Sequence, residues 1–133
     1  LAGWPGGQVV GRALAEPESI IASTSGIGTD DHLLLVLLSR ATGARFTLVH
    51  YNGAPQQRTA LMAGQVHVNL VSVGEVMPNP QGVRFIGHAG AERSRFAPEV
   101  PTLRSLGHDM LMYSERGIVA PAGTPAAIVE RLR

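Results

Sequence analysis

Short apolar runs alternate with stretches of helical periodicity along most of this chain. The apolar runs predict five strands, at residues 20–23, 46–51, 66–73, 83–87 and 117–120. The intervening stretches predict helices at residues 30–42, 55–64, 101–107 and 126–133, and a glycine-weakened helix at residues 4–15. Strands that alternate with helices over short loops are typical of a layered α/β domain. We therefore expect one largely parallel sheet with helices on both faces.

The helix at residues 30–42 carries the clearest boundary signals in the chain. Thr29 is placed to act as its N-cap, and Asp30 and Asp31 fall in the first turn, where acidic side chains favour the helix dipole. Gly43 stands where a left-handed glycine would end the helix. Residues 33–38 are apolar all round, which predicts a helix that is buried on most sides.

The loop between the first strand and this helix is the first candidate binding site. Its glycines remove Cβ atoms where a ligand could approach the backbone, and its helix-start amides could hold a carboxylate or a phosphate. Its candidate ligand-binding residues are Ser25, Gly28, Thr29 and His32. Two aspartates in the same turn would repel a highly charged anion. A capped tight turn without a ligand is the alternative at this point.

The loop after the second strand gives the second candidate site. Gly53 and Ala54 are small, and their amides precede a helix that Pro55 begins. Ser72, after the third strand, is a further candidate. In parallel sheets ligands bind beyond the carboxyl ends of the strands. Because these loops all follow such ends, together they support the prediction of one shared binding site. An ordinary strand-to-helix turn is the alternative for each loop taken alone.

Composition and charge exclude several functions. The 133 residues carry a formal net charge of +1, which does not favour binding to nucleic acid or to an anionic membrane. Cysteine is absent, so disulfides and thiolate sites are excluded. His32 and its two neighbouring aspartates diverge around the helix, so we expect no metal. No catalytic motif such as Gly-x-Ser-x-Gly occurs, and we expect neither a cofactor nor enzymatic activity.

Five segments of the chain resemble one family of receptors. They follow in order as residues 25–33 (SGIGTDDHL), 51–54 (YNGA), 60–66 (ALMAGQV), 98–103 (PEVPTL) and 117–125 (GIVAPAGTP). These segments are similar to signatures of the Bug-type solute receptors, the periplasmic substrate-binding proteins of tripartite tricarboxylate transporters. The resemblance covers residues 19–133, roughly.

The resemblance implies a fold, a ligand and a partner. It implies one lobe of a type II periplasmic binding protein fold, with residues 19–116 as the ligand-binding lobe. Residues 1–18 would be an incomplete N-terminal segment, and residues 117–133 would begin the return to a first lobe. The receptor would capture a small carboxylate with backbone amides, hydroxyls and ordered waters, and deliver it to membrane transporter subunits from the periplasm. The alternative is a stand-alone α/β enzyme or sensor domain that binds a phosphate or a carboxylate at the same loops.

The chain departs from the family pattern at positions that bear on ligand preference. His67 and Val71 stand where the family often carries aspartate, and the helix that usually precedes the fourth strand is reduced to residues 74–82. The chain begins with Leu1 and ends in an uncapped helix, so we expect a fragment of a two-lobed receptor. Such a fragment should bind carboxylates weakly or not at all, and should form a homodimer through its terminal segments.

Overall fold

A computed structural model of the protein describes residues 6–132. Its order of elements is α1 (Gly6–Ala15), β1 (Ile21–Thr24), α2 (Asp30–Thr42), β2 (Thr47–His50), α3 (Ala54–Met62), β3 (Val68–Asn69), α4 (Val73–Val76), a 3₁₀ turn (Arg104–Leu106) and α5 (Ala126–Leu132). The predicted first helix is therefore present from residue 6 onward, and the expected residues 4 and 5 lie outside the described part. No helix within residues 6–132 has the length and apolar character that crossing a bilayer requires.

The three strands form one parallel sheet in the order β2-β1-β3. The register of the central strand pairs Ala22 with Val68 and Ser23 with Asn69. Because side chains alternate along a strand, Ala22 and Ser23 point to opposite faces. The expected parallel sheet is thus confirmed for the first three predicted strands, although β3 is shorter than the predicted residues 66–73.

Helices cover both faces of this sheet, as the sequence predicts. On one face, α1 contributes Val9, Val10 and Ala13 to a buried cluster with Ile20 and Ala44. Leu38, Phe46, Val68 and Ile86 pack around this cluster. On the opposite face, α3 reaches the sheet through Gln57, whose Nε2 donates to the hydroxyl of Ser23 at 3.4 Å. A single layer of sheet therefore separates an apolar side from a side that is polar at its centre.

The caps of α2 are confirmed. The Thr29 hydroxyl accepts a hydrogen bond from the His32 backbone N–H at 3.4 Å. Gly43 has a φ of 77°, and its N–H donates to the Ser39 carbonyl. Caps depend on residues adjacent in sequence, which is why the pattern alone was sufficient to place them.

The expectation that residues 33–38 are buried on most sides is wrong. Leu35 is only 4% exposed, but Leu33 is 49% exposed and Leu37 is 41% exposed. One face of α2 packs toward the sheet, and within residues 6–132 its opposite face lies largely open. An all-apolar run indicates burial only when a second layer covers the helix.

Two predicted strands are absent from the described residues. Residues 83–87 are irregular, and the nearest sheet-like contact is a single parallel bridge between His88 and Thr102. Residues 117–120 have no regular secondary structure and no strand partner among residues 6–132, with Ile118 and Val119 85% and 93% exposed. A strand depends on hydrogen bonds to a neighbouring strand, so β-propensity without a partner does not produce one.

Candidate functional site

The three loops that follow the strands lie side by side at one edge of the sheet. Since all three strands are parallel, their carboxyl ends at Thr24, His50 and Asn69 share that edge. The backbone continues the pairing one residue further, because Tyr51 N–H donates to the Thr24 carbonyl at 2.9 Å. Leu70 N–H likewise donates to the Ser23 carbonyl at 2.9 Å. The candidate residues of the three loops are thereby brought to one place.

In the first loop, hydroxyls are used to hold the loop itself. The Ser25 hydroxyl donates to Asp31 Oδ2 at 2.6 Å, and the Ser25 N–H donates to the same oxygen at 3.3 Å. The Thr29 hydroxyl donates to the Gly26 carbonyl at 2.8 Å. These bonds fix the backbone path between β1 and α2. Ser25 therefore acts in this structure as a partner of Asp31.

His32 holds the glycine of the same loop. Gly28 has a φ of 80°, a left-handed conformation that glycine adopts without strain, and its N–H donates to His32 Nδ1 at 3.0 Å. That bond makes Nδ1 the acceptor, so the proton of the neutral ring resides on Nε2. The ring of His32 meets the ring of His50 edge to face, with centroids 5.0 Å apart. His50 Nδ1 in turn lies 2.6 Å from the hydroxyl of Thr24.

The second loop turns sharply into α3. Gly53 has a φ of 102°, again in the left-handed region, and its carbonyl accepts from the Gln57 N–H at 3.3 Å. The Asn52 N–H donates to Gln56 Oε1 at 3.1 Å, so a side chain of α3 also stabilises the turn. Ala54 is the first residue of α3. The first amides of a helix have no partner within the helix, so this loop presents donors at the sheet edge.

The third loop adds Ser72 and an acidic side chain. Ser72 precedes the short helix α4, and its carbonyl accepts from the Glu75 N–H at 3.0 Å. Asp31, Ala54, Ser72 and Glu75 all line one cavity next to the sheet edge. Of the seven predicted ligand-binding residues, only Ala54 and Ser72 line it. Ser25, Gly28, Thr29, His32 and Gly53 lie in the adjoining loops and shape their backbone.

Sequence reasoning missed a polar group beneath the loops. Gln57 is fully buried, and its Nε2 donates to the Leu70 carbonyl at 2.9 Å as well as to Ser23. The Ser23 hydroxyl donates onward to Asn69 Oδ1 at 2.7 Å. Gln57 Oε1 is buried with no hydrogen-bond partner in the described part of the chain. The sequence feature that could have revealed Gln57 is its position three residues before Ala60, which places a polar side chain on the buried face of α3.

Asp31, which the sequence analysis treats as a first-turn acid that would repel a highly charged anion, is buried in the structure. It is 7% exposed, and burial raises the pKa of its carboxyl group. The two hydrogen bonds from Ser25 oppose that rise in the pKa, while the negative charges of Asp30 and Glu75 reinforce it. The carboxylate therefore sits at the site in an environment that disfavours its own charge.

His67 occupies a position where the resemblance led us to expect an aspartate. Its N–H donates to the Ile21 carbonyl at 2.9 Å, and its Nδ1 accepts from the Ile21 N–H at 2.9 Å. The imidazole thus completes the ladder between β1 and β3 by taking the place of a backbone acceptor. Within residues 6–132, no group of three or more histidine or acidic side chains is arranged to hold a metal ion.

The family is decided by comparison with known proteins. The sequence model of the tripartite tricarboxylate transporter family receptor, TctC, matches residues 8–133. The chain belongs to this receptor family. The resemblance inferred from the five segments is thereby confirmed, and the family is one of receptors rather than enzymes.

Relatives of this TctC-family chain are longer than it is. It is 31% identical over 131 residues to the UPF0065 protein in the tcbD-tcbE intergenic region of Pseudomonas sp. strain P51. It is 32% identical over 127 residues to the UPF0065 protein in the gbd 5' region of Cupriavidus necator. Each match covers 94% of this chain and 38% of the relative. The chain therefore spans well under half the length of these curated relatives.

A solved structure shows the same fold. A TctC solute-binding protein from Polaromonas, crystallised without ligand, superposes with a TM-score of 0.79 at 23% identity. The match covers 100% of this chain and 46% of the Polaromonas protein. The architecture of the TctC-family chain is accordingly that of part of a periplasmic binding protein.

Proposed function

We propose that this chain is the second, ligand-binding lobe of an extracytoplasmic receptor that captures a small carboxylate. The receptor delivers the carboxylate to the membrane subunits of a tripartite transporter. The observation that carries the proposal is the meeting of three strand-end loops at one edge of a parallel sheet, in a chain of the TctC receptor family. Ligands of open α/β sheets bind at this edge. The family name and the periplasmic setting of such receptors support the rest.

In this proposal the lobe is residues 19–116, preceded by the segment at residues 1–18. Residues 117–133 belong to the connection that returns to a first lobe. The exposed, unpaired conformation of residues 117–120 supports this division, because a strand of another lobe would supply the missing hydrogen bonds.

The ligand carboxylate would be held mainly by backbone N–H groups at the starts of α2 and α3. Both helices are long enough to present a dipole, of 13 and 9 residues. Thr29, Ala54 and Ser72 supply amide or hydroxyl donors, and the Nε2–H of His32 is a further donor. Ser25, Gly28 and Gly53 hold the loops in the conformation that presents these groups. Closure of a first lobe would exclude water and add its own donors.

The test is an NMR titration of residues 1–133 in which the transverse relaxation of ligand protons reports binding. Succinate is the probe, and n-propylamine is the control of opposite charge. We expect succinate to bind with a Kd weaker than about 1 mM, since half of the donors come from elsewhere. The amine should show no binding. Micromolar binding of succinate, or equal binding of the amine, would contradict the proposal.

A further inference from the structure

A buried carboxylate lies inside the site proposed for a carboxylate ligand. Asp31 belongs to the first turn of α2 and lines the same cavity as Ala54 and Ser72. One of its oxygens receives both the N–H and the hydroxyl of Ser25, so the side chain is fixed and cannot swing away without breaking the loop. Any ligand held at this sheet edge is therefore close to a fixed acidic group.

The neighbouring charges add to that of Asp31. Asp30 precedes it in the same turn, and Glu75 of α4 acts on it from the third loop. All of the charged groups that perturb Asp31 among the described residues are negative. The cluster therefore spans two of the three loops.

Among the described residues, neither of the two arginines that line the cavity forms an ion pair with these carboxylates. The Arg58 guanidinium donates to the backbone carbonyls of Asn79 and Gln81, and is held there against the turn at residues 78–82. Arg84 also lines the cavity, but it is exposed, and its charge does not contribute to the pKa shift of Asp31.

The helix dipoles can offset only part of the negative charge. A helix N-terminus is equivalent to roughly half a positive elementary charge, so two helices balance about one carboxylate. The remaining carboxylates repel any anionic group of the ligand beyond the first.

We infer that Asp31, assisted by Glu75, is a specificity-determining residue that makes the site prefer ligands with one carboxylate over ligands with two or three. This inference rests on the proposed function, because it concerns the ligand of the same three loops. The family takes its name from tricarboxylates, whereas the charges of this chain select against them. The remainder of the ligand would be uncharged or would carry a cationic group.

The test measures the Kd of propionate, succinate and propane-1,2,3-tricarboxylate at pH 7.5 and constant ionic strength, by the same relaxation titration. The unmodified chain should bind propionate more tightly than the tricarboxylate. Asp31→Asn keeps an oxygen that accepts from Ser25 but removes the charge, and it should raise tricarboxylate affinity about tenfold relative to propionate. Glu75→Gln, on an exposed residue whose substitution leaves the core intact, should change the same ratio about threefold.

Glu99→Gln is the matched control, since it removes one negative charge from an exposed residue outside the cavity. It should leave the ratio of the two affinities unchanged. A tricarboxylate preference in the unmodified chain, or a ratio unaffected by both Asp31→Asn and Glu75→Gln, would overturn the inference and leave the proposed function standing. Absence of binding by all three carboxylates would overturn the proposed function itself.

Discussion

Individual residues in the loops set the backbone path more than they offer donors of their own. Asp31 holds Ser25, His32 holds Gly28, and the hydroxyl of Thr29 closes on Gly26. The sequence predicted that the first loop lies between a strand and a helix, as it does between β1 and α2, because a strand followed by glycines and a helix N-cap is a local signal. It did not predict that the side chains bond within the loop, since those bonds depend on the three-dimensional path of the backbone.

Substitution of Gly53 gives a prediction at this scale, and Gly64, at the other end of the same helix, is the matched control. Gly53 and Gly64 flank α3, and both have positive φ, of 102° and 72°. Alanine at either position should cost roughly 1–2 kcal/mol of stability because of the left-handed backbone. Only Gly53→Ala should also weaken succinate binding, by about fivefold or more, because it displaces the amides of the second loop. Equal binding losses in the two variants, measured by the relaxation titration, would contradict this.

His88 gives the pH dependence of stability. Burial lowers the pKa of its imidazole below 6.5, and both ring nitrogens face backbone N–H groups, of Gly90 at 3.1 Å and Ser94 at 3.3 Å. Between the lowered pKa and 6.5 the unfolded chain binds more protons than the folded chain. The contribution of His88 to stability is therefore fully present above pH 6.5 and is lost as the pH falls through the lowered pKa.

The corresponding measurement is urea denaturation of the unmodified chain and of His88→Gln at pH 7.5 and 5.5. The glutamine variant should lose less stability between the two pH values, because it has no proton to take up. An identical loss in both proteins would show that His88 does not carry the effect.

At the scale of elements, local signals placed the ends of α2 and three of the five strands. They were insufficient for the other two strands, and the helix predicted at residues 101–107 is wrong, since only a 3₁₀ turn forms there. Thr29 and Gly43 cap α2 as predicted, because each cap is made by residues close in sequence. Ile118 and Val119 have high β-propensity, yet they are exposed and form no strand, because a strand needs a partner that the pattern cannot supply. The same limit applies to α2. Its apolar run indicates that another layer covers the helix, but the run does not identify that layer.

The two faces of α2 should respond differently to substitution. Leu35 is buried against the sheet side, whereas Leu37 is 41% exposed. Leu35→Ala should destabilise the chain by about 2–5 kcal/mol, through lost burial and a cavity, and Leu37→Ala by less than about 1 kcal/mol. Urea denaturation of both variants checks this. A loss at Leu37 as large as that at Leu35 would show that the outer face of α2 is covered after all.

At the scale of the whole molecule, the terminal segment exposes several large apolar side chains. Ile128 and Leu132 of α5 are 51% and 58% exposed, and they follow the exposed pair Ile118 and Val119. Proteins in solution seldom leave such surface uncovered. In a longer receptor a first lobe would cover it, and in the chain of 133 residues a second copy is the simplest substitute.

Self-association of residues 1–133 is therefore expected, through α5 and not through the strand-end loops. Replacing Ile128 and Leu132 by glutamate should shift the chain toward monomer in sedimentation equilibrium. Leu33→Glu, on the exposed face of α2, is the matched control and should leave association unchanged. A monomeric unmodified chain at high concentration, or dissociation caused by the α2 variant alone, would refute this.

In the function that we propose, three strand-end loops at one sheet edge form half of a carboxylate site. A map of backbone amide shifts of the ¹⁵N-labelled chain, recorded as succinate is added, tests this arrangement. We expect shifts concentrated in the first and second loops, around Thr29 and Ala54, and around Ser72 in the third, with little change in α5. Shifts confined to α5 or to the segment around His88, with those three loops unaffected, would contradict it.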